Sequence, residues 1–196
     1  MSATLSPRRS SGGSRRFSTE RVRLPRWAAP AGVAAVVAVH PVLSRLDPER
    51  DFLAFGLFDW IGHLATGAVL VAALRPSRRM AAGILLGSVL IDLDHIPAQL
   101  GTDVLTAGAP RPYTHSLISL GVVLAAARLR RSEALLGAAI GLAGHLARDL
   151  GGGDVMLFWP VSWADQSMTF SVYVGLLAVT AAQVAATPTA RRTPRR

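Results

Sequence analysis

Ile140-Gly141-Leu142-Ala143-Gly144-His145-Leu146-Ala147-Arg148-Asp149 is the stretch around which this chain is organised. It begins as an apolar helical pattern and ends in three ionisable residues. His145 and Asp149 are four residues apart, so a helix places them on one face, about one turn from each other. An imidazole nitrogen and a carboxylate oxygen in this arrangement can hold a divalent cation. A plain hydrogen bond at a helix end fits the same pattern, and the positions of the other His and Asp residues decide between the two.

The composition indicates a membrane protein. Of 196 residues, 51% are hydrophobic and 17% are charged, and the mean hydropathy is +0.37, which is too apolar for a soluble basic domain. The net charge of +9 comes from arginines in short runs between apolar segments, so no nucleic-acid partner is expected. The chain has no cysteine, so a metal would be held by His, Asp, Glu or backbone oxygen, which suits zinc, manganese or magnesium.

Six apolar segments predict an all-α fold, a polytopic membrane helical bundle of about six transmembrane or membrane-embedded helices. The segments cover residues 27–46, 52–74, 80–97, 115–127, 134–150 and 169–186. Together they form one predicted membrane-embedded domain, residues 27–187. It lies between a disordered basic cytoplasmic tail, residues 1–26, and a basic C-terminal tail, residues 188–196.

The arginines predict how the bundle is oriented. If the six segments alternate in direction, all arginines but four lie on the side of the two termini, and the positive-inside rule places that side in the cytoplasm of a bacterial inner membrane. The four exceptions are Arg45, Arg50, Arg111 and Arg148. The Arg-rich tails are expected to bind anionic lipid headgroups. An aromatic belt is predicted at the outer boundary, formed by Trp60, Tyr113, Trp159 and Trp163.

Four predicted helices bring ionisable side chains to this outer end. Such groups are costly at membrane depth and mark functional sites, so their convergence predicts a metal centre of one or two ions. The candidate ligands are His63, Asp92, Asp94, His95, His115, His145 and Asp149. Asp59 lies on the helical face of His63, four residues earlier. His40 is isolated beside a proline in the first segment and is expected to be a packing residue.

The third segment ends in two acids and a histidine. Carboxylates are unfavourable at a helix C-terminus, and a bound cation would compensate for them. Asp92 and His95 share a helical face, whereas Asp94 points elsewhere if the helix continues. Because a proline disfavours helical geometry in the preceding residue, Pro97 predicts that the helix unwinds near His95-Ile96.

Five short motifs occur in a characteristic order. They are Ile61-Gly62-His63, Asp92-Leu93-Asp94-His95, Arg111-Pro112-Tyr113-Thr114-His115-Ser116, Gly144-His145-Leu146-Ala147-Arg148-Asp149 and Phe158-Trp159-Pro160. Over about residues 55–165 the chain resembles the YdjM-like family of bacterial inner-membrane proteins, and the resemblance implies a metal-dependent hydrolase. That family is distantly similar to the zinc phospholipase C and P1 nuclease group, which implies phosphoester hydrolysis and makes zinc the expected ion.

The chain departs from the family pattern at two positions. Pro110 stands where the family has a histidine before Thr-His-Ser, and Ile91 replaces the proline of a Pro-Asp pair. The missing histidine would have been a ligand or a proton donor. The rest of the motif set is intact.

Two functions are compatible with these residues. The first is a membrane-bound metal-dependent hydrolase that faces outward and acts on a phosphoester of a lipid or lipid-linked substrate through metal-activated water. Asp92 would accept a proton, while Arg111 and Arg148 would either clamp the phosphate or anchor in lipid headgroups. The second is a non-enzymatic metal-binding scaffold or a transporter. A transporter needs polar residues through both membrane halves, and the predicted cytoplasmic halves carry almost none.

Overall fold

A computed structural model of the chain describes residues 20–106 and 111–187, and the described residues are predominantly helical. The helices are α1 (Ala28–Leu43), α2 (Phe52–Leu74), α3 (Arg78–Gly87), α4 (Ile96–Gln99), α5 (Leu117–Arg130), α6 (Glu133–Gly152) and α7 (Phe170–Ala186). A 3-10 turn, Leu90–His95, joins α3 to α4. The described part of the chain contains isolated β-bridges but no β-strand, so the all-α prediction is confirmed.

The predicted third segment is broken earlier than Pro97 suggests. α3 ends at Gly87, and the 3-10 turn begins three residues later. The carbonyl of Ser88 contacts His145 Nδ1 at 2.9 Å, and the amide of Asp92 donates instead to the carbonyl of Val89 at 3.2 Å. Pro97 lies in the first turn of α4, where a missing N–H costs nothing. The prediction of unwinding at His95-Ile96 is therefore wrong, because the α-helix already ends at Gly87, where the Ser88 carbonyl pairs with His145 and not with the Asp92 amide.

Four glycines bring α3 and α6 into backbone contact. A Cβ added to Gly141 would lie 2.0 Å from the carbonyl oxygen of Ile84, and one added to Gly83 would lie 2.1 Å from that of Ala134. Gly87 and Gly137 are equally close to the opposite backbone. Glycines four residues apart on both helices form the small-residue interface typical of membrane helix pairs. This contact sets the axial position of α3 relative to α6, and it thereby places Ser88 next to His145.

α2 packs between the α3–α6 pair on one side and α1 with α7 on the other. Val36, Val69 and Leu177 are buried in the contact among α1, α2 and α7. The hydroxyl of Tyr173 bonds to Thr66, which joins α7 to α2. His40 stacks on Phe170 with ring centroids 3.6 Å apart, a packing contact of the kind expected for it.

The arginine-bearing turns lie together at one end of the bundle. The amide of Val22 donates to the carbonyl of Pro76 at 2.8 Å, and Ser77 Oγ donates to Glu133 Oε2 at 2.5 Å. Residues 20–26, which composition assigns to the N-terminal tail, thus contact the α2–α3 turn. The other parts of the predicted tails, residues 1–19 and 188–196, lie outside the described residues.

Two stretches are long and apolar enough to cross a bilayer, Phe52–Leu74 and Arg78–Gln99. α1 and α7 are also apolar but have only 16 and 17 residues, about 24–26 Å of helix against a hydrocarbon core of about 30 Å. These helices fit association with a membrane. The arrangement of six spans stays a prediction.

Gly141→Ala is expected to lower the free energy of unfolding by about 1–3 kcal/mol, because the added methyl group overpacks a contact between two backbones. Thermal unfolding of the purified chain in detergent measures the change. Gly121→Ala is the matched control, since a Cβ there meets nothing within 4 Å; it should be neutral or stabilising by up to about 1 kcal/mol. Equal midpoints for the two variants would contradict the glycine contact.

Candidate metal centre

Four elements bring the seven candidate ligand residues into one cluster. α2 supplies His63, the 3-10 turn supplies three residues, the segment before α5 supplies His115, and α6 supplies His145 and Asp149. The three histidines named here are fully buried, and Asp149 is 1% exposed. The rings of His63 and His145 stack with centroids 3.8 Å apart. Residues separated by more than 80 positions in sequence therefore share one pocket.

At the centre of the cluster, two nitrogens and two oxygens alternate in a closed ring. His145 Nε2 lies 3.3 Å from Asp92 Oδ1 and 3.0 Å from Asp149 Oδ2. His115 Nε2 lies 3.5 Å from each of the same two oxygens. A tetrahedral zinc ion with bonds of about 2.0–2.1 Å sets neighbouring ligand atoms about 3.3–3.4 Å apart. The four adjacent separations, 3.0–3.5 Å, are therefore close to the spacing of neighbouring ligand atoms around such an ion.

Several polar atoms in and beside this ring lack a hydrogen bond, although Asp149 also pairs with Arg111 at 3.2 Å and lies 3.3 Å from His63 Nε2. His145 Nε2, His115 Nε2, Asp92 Oδ2 and both carboxylate oxygens of Asp149 are buried without a hydrogen bond. Buried polar groups are normally satisfied, and leaving them unpaired is costly. A cation would satisfy them together. A donor set of two imidazoles and two carboxylates fits zinc, and it is compatible with manganese.

The charges of the cluster also favour a divalent cation. Four carboxylates meet there, and two guanidinium groups face them, as shown by the ion pairs of Arg148 with Asp59 and of Arg111 with Asp149. With neutral histidines, two negative charges remain without compensation. Burial makes such charges expensive unless they are paired. One divalent ion supplies the missing charge.

Each central histidine has a polar group next to its Nδ1 atom, on the side of the imidazole that faces away from the four ligand atoms. His145 Nδ1 faces a carbonyl, that of Ser88, at 2.9 Å, and His115 Nδ1 lies 3.2 Å from Asp94 Oδ2. A carbonyl only accepts, so His145 Nδ1 carries the proton and its Nε2 presents a lone pair to the ring. The Asp94 carboxylate beside His115 Nδ1 favours the same tautomer there.

Asp94 thus lies behind His115 instead of inside the ring, which differs from its prediction as a ligand. It also accepts a hydrogen bond from Thr114 Oγ1 and lies 3.0 Å from His95 Nδ1. The reason is the 3-10 geometry, in which residues three apart eclipse each other. Asp92 and His95 turn toward the centre together, and Asp94 faces another direction.

His63 lies against His145, and His95 lies against His115. Ligand atoms of His63, Asp92 and His145 lie within 4.8 Å of one another, and so do those of Asp92, His95 and His115. Asp92 belongs to both groups. Asp92 is therefore the residue that two ions would share. Whether the cluster holds one or two ions stays a prediction.

The two arginines differ in their surroundings. Arg148 is 8% exposed, and its Nη1 lies 2.5 Å from Asp59 Oδ1 and 2.9 Å from His63 Nε2. It also lies flat on α2, because a Cβ on Gly62 would come within 2.5 Å of its Nε. Arg148 was predicted either to clamp a phosphate or to anchor in lipid headgroups; its contacts with Asp59 and His63 hold it against α2. Arg111 is the more exposed of the two, at 24%, and contacts Asp149 Oδ2 at 3.2 Å.

An aromatic rim borders the cluster. Tyr113 stacks on Trp159 with ring centroids 4.6 Å apart, and Trp159 meets Trp163 edge to face. The amide of Leu117 donates to the carbonyl of Leu157 at 2.9 Å. This hydrogen bond joins the loop between α6 and α7, which carries Trp159 and Trp163, to the segment that carries His115. Three of the four residues of the predicted aromatic belt therefore lie side by side next to the candidate ligands.

Sequence reasoning missed Ser88, which orients His145 through its backbone carbonyl and so leaves no side-chain signal. Asp59 was placed on the face of His63 but was not assigned to the site, although its helical spacing was a usable signal. Pro110, at the position of the family's missing histidine, lies outside the described residues.

Comparison with protein families finds one match. The family described as YdjM inner membrane protein matches residues 58–195, which include every candidate ligand. No curated protein matches the chain, and no solved structure does. The more distant resemblance to zinc phospholipase C and P1 nuclease is not supported by these comparisons.

Zinc added to chelator-treated protein in detergent is expected to raise the thermal midpoint, because an ion that binds only the folded chain stabilises it by about 2.7 kcal/mol at 100 times its Kd. His115→Ala and Asp149→Ala should each abolish the response. His40→Ala, a histidine outside the cluster, should keep it. A midpoint that responds to neither zinc, manganese nor magnesium would contradict the metal centre.

Proposed function

The chain belongs to the YdjM inner membrane protein family, and we propose that it is a membrane-bound metal-dependent hydrolase of phosphoesters. The observation that carries the proposal is the ring of Nε2 and carboxylate oxygen atoms, with separations of 3.0–3.5 Å, inside an otherwise apolar bundle. Zinc is the ion proposed for this ring. His115, His145, Asp92 and Asp149 would hold it.

The proposed location is the outward-facing end of a multi-pass bundle, with both termini in the cytoplasm. α5 begins next to His115 and ends at an arginine-rich turn, while α6 begins at that turn and ends next to Asp149. The ligands and the arginine-rich turns thus occupy opposite ends of the same helices. By the positive-inside rule, the arginine-rich end faces the cytoplasm.

When bound, zinc would lower the pKa of water to about 7 and polarise a phosphoryl oxygen. The protein's own contribution to proton transfer is Asp92. Its Oδ1 faces the two histidines, whereas its Oδ2 has no hydrogen-bond partner. Oδ2 is therefore the atom that would accept a proton from the attacking water, a contribution of typically 10²–10⁴ in rate for a well-placed base.

Arg111 would position the substrate phosphate. Its guanidinium combines partial exposure with contact to Asp149, a residue of the ring. Guanidinium groups bind phosphate through paired, charge-assisted hydrogen bonds. Arg148 has no comparable freedom, since it is engaged by Asp59 and His63.

A lipid or lipid-linked phosphoester is the proposed substrate class. The segment that supplies three candidate ligands also exposes apolar side chains, among them Leu93, Ile96 and Leu100. Trp163 is exposed on the aromatic rim. Exposed apolar patches bordering a polar site are typical of surfaces that contact membrane or apolar ligands. A substrate with a phosphate head and an apolar chain satisfies both parts of this surface.

The alternative functions use the same ligands without hydrolysis. Among the described residues, the buried histidine, arginine and acidic side chains all belong to the cluster: His63, His115, His145, Arg148 and Asp149. A transport path would need such groups in the other half of the bundle as well. This distribution favours the hydrolase over a transporter, and activity separates it from a scaffold.

Purified protein is expected to contain zinc by elemental analysis and to hydrolyse bis(p-nitrophenyl) phosphate and phosphatidic acid in mixed micelles. A double variant, His145→Ala with Asp149→Ala, should lose both metal and activity, and His40→Ala should keep both. Asp92→Asn should reduce kcat by about 10²-fold or more. Zinc bound in stoichiometric amount, without hydrolysis of either phosphoester, would favour the scaffold.

Arg111→Gln should lower kcat/KM by about 10–100-fold, the value of one charge-assisted hydrogen bond of about 1.5–3 kcal/mol, while zinc content stays unchanged. Arg148→Gln should instead reduce zinc content and the thermal midpoint, because Asp59 and His63 lose their buried partner. The two measurements together distinguish a substrate contact from a structural one. Loss of zinc in Arg111→Gln would contradict its assignment to the substrate.

A further inference from the structure

Two turns at the arginine-rich end of the bundle are built in the same way. Arg75 follows the last residue of α2 and Arg131 follows the last residue of α5, and both C-cap residues are left-handed, each with φ of 48°. In each turn a serine then caps the next helix: Ser77 Oγ accepts from the Met80 amide, and Ser132 Oγ accepts from the Leu135 amide, both at 3.3 Å.

The left-handed conformation of these two residues is unusual for arginine. In residues 20–106 and 111–187, Arg75 and Arg131 are the only non-glycine residues with positive φ. Glycine is the usual residue at this position after a helix, because a side chain there is strained. Both turns therefore carry a cation at a position where glycine would be less strained. A positive charge near a helix C-terminus offsets part of the strain, but it does not require arginine in both places.

The two turns lie side by side. Ser77 and Glu133, each two residues beyond its arginine, are joined by a hydrogen bond of 2.5 Å. Two acids lie in the described part of this end, Glu133, which accepts from Ser77, and Glu20, which pairs with Arg78 at 3.0 Å. Six arginines lie in and beside the two turns: Arg75, Arg78, Arg79, Arg128, Arg130 and Arg131. The turns therefore present an excess of positive charge. We call the set Arg75, Arg79, Arg128 and Arg131 the arginine face.

We propose that the arginine face binds the phosphate of anionic phospholipid headgroups in the membrane leaflet at this end. The apolar helices α2 and α5 both stop at this level, which is where headgroups meet the hydrocarbon core. Guanidinium groups match phosphate in charge and geometry, and each cation near an anionic leaflet adds to attraction. This proposal is independent of the hydrolase, whose ligands lie at the opposite end.

The test uses the full chain in mixed micelles containing either phosphatidylglycerol or phosphatidylcholine. Phosphatidylglycerol should raise the thermal midpoint of the unchanged protein above its value in phosphatidylcholine. The variant Arg75→Gly with Arg131→Gly should lose at least half of this gain. Its midpoint in phosphatidylcholine should equal or exceed that of the unchanged protein, since glycine removes the strain. A lower midpoint there would overturn the strain argument.

Two controls identify the ligand and its location. Arg45→Gln with Arg50→Gln removes two cations from the opposite end of α2 and should leave the phosphatidylglycerol gain intact. Inorganic phosphate at millimolar concentration should not reproduce the gain; if it does, the ligand is a free anion and the membrane proposal fails. A full gain in the double glycine variant would place lipid binding elsewhere in the chain and overturn the proposal.

Discussion

The contact between the backbones of α3 and α6 is the constraint on which the rest of the site depends. Because glycines line both sides, the two helices approach until the carbonyls of one touch the Cα positions of the other. Ser88 then lies against Gly141, and its carbonyl comes within 2.9 Å of His145 Nδ1, one turn further along α6. That hydrogen bond has two effects. It gives the Ser88 carbonyl a partner where the chain leaves α3 for a 3-10 turn and the Asp92 amide donates to Val89 instead, and it places the proton of His145 on Nδ1.

The 3-10 turn converts a helix end into a ligand-bearing segment. With i and i+3 eclipsed, Asp92 and His95 approach the centre together, and Asp94 is left to orient His115. The same hydrogen bond that ends the helix therefore also arranges two histidines, one directly and one through Asp94. The candidate ligands come from four elements, and these hydrogen-bonding partners fix the orientation of their side chains. The side chains therefore keep the same orientation without an ion.

The sequence was sufficient to predict the helices and the set of residues that meet. Apolar length located the long helices to within a few residues, and His or Asp at the predicted outer ends pointed to one cluster because alternating helices return to the same side. The break in the third segment was not predictable in this way. It depends on a tertiary hydrogen bond to Ser88, whereas Pro97 suggested a later position. The burial of Arg148 was equally hidden, since only the neighbouring Gly62 makes room for it. The spacing of Gly83 with Gly87 and of Gly137 with Gly141 was a readable signal of close helix packing.

α6 shows why hydropathy alone describes this bundle poorly. Its 20 residues give about 30 Å of helix, the thickness of a bilayer core, yet it is not among the stretches that qualify as spans by composition. Its glycines and its ionisable residues lower its hydropathy, but those residues face inward: His145, Arg148 and Asp149 are all buried. A polar side chain turned toward a protein partner or an ion does not meet lipid, so it carries little of the penalty that a hydropathy scale assigns to it. For a helix of this kind, the length and the direction of the polar face decide whether it can cross a membrane. Both properties of α6 fit the proposed orientation, in which the arginine-rich turn lies at one boundary and the candidate metal ligands lie near the other.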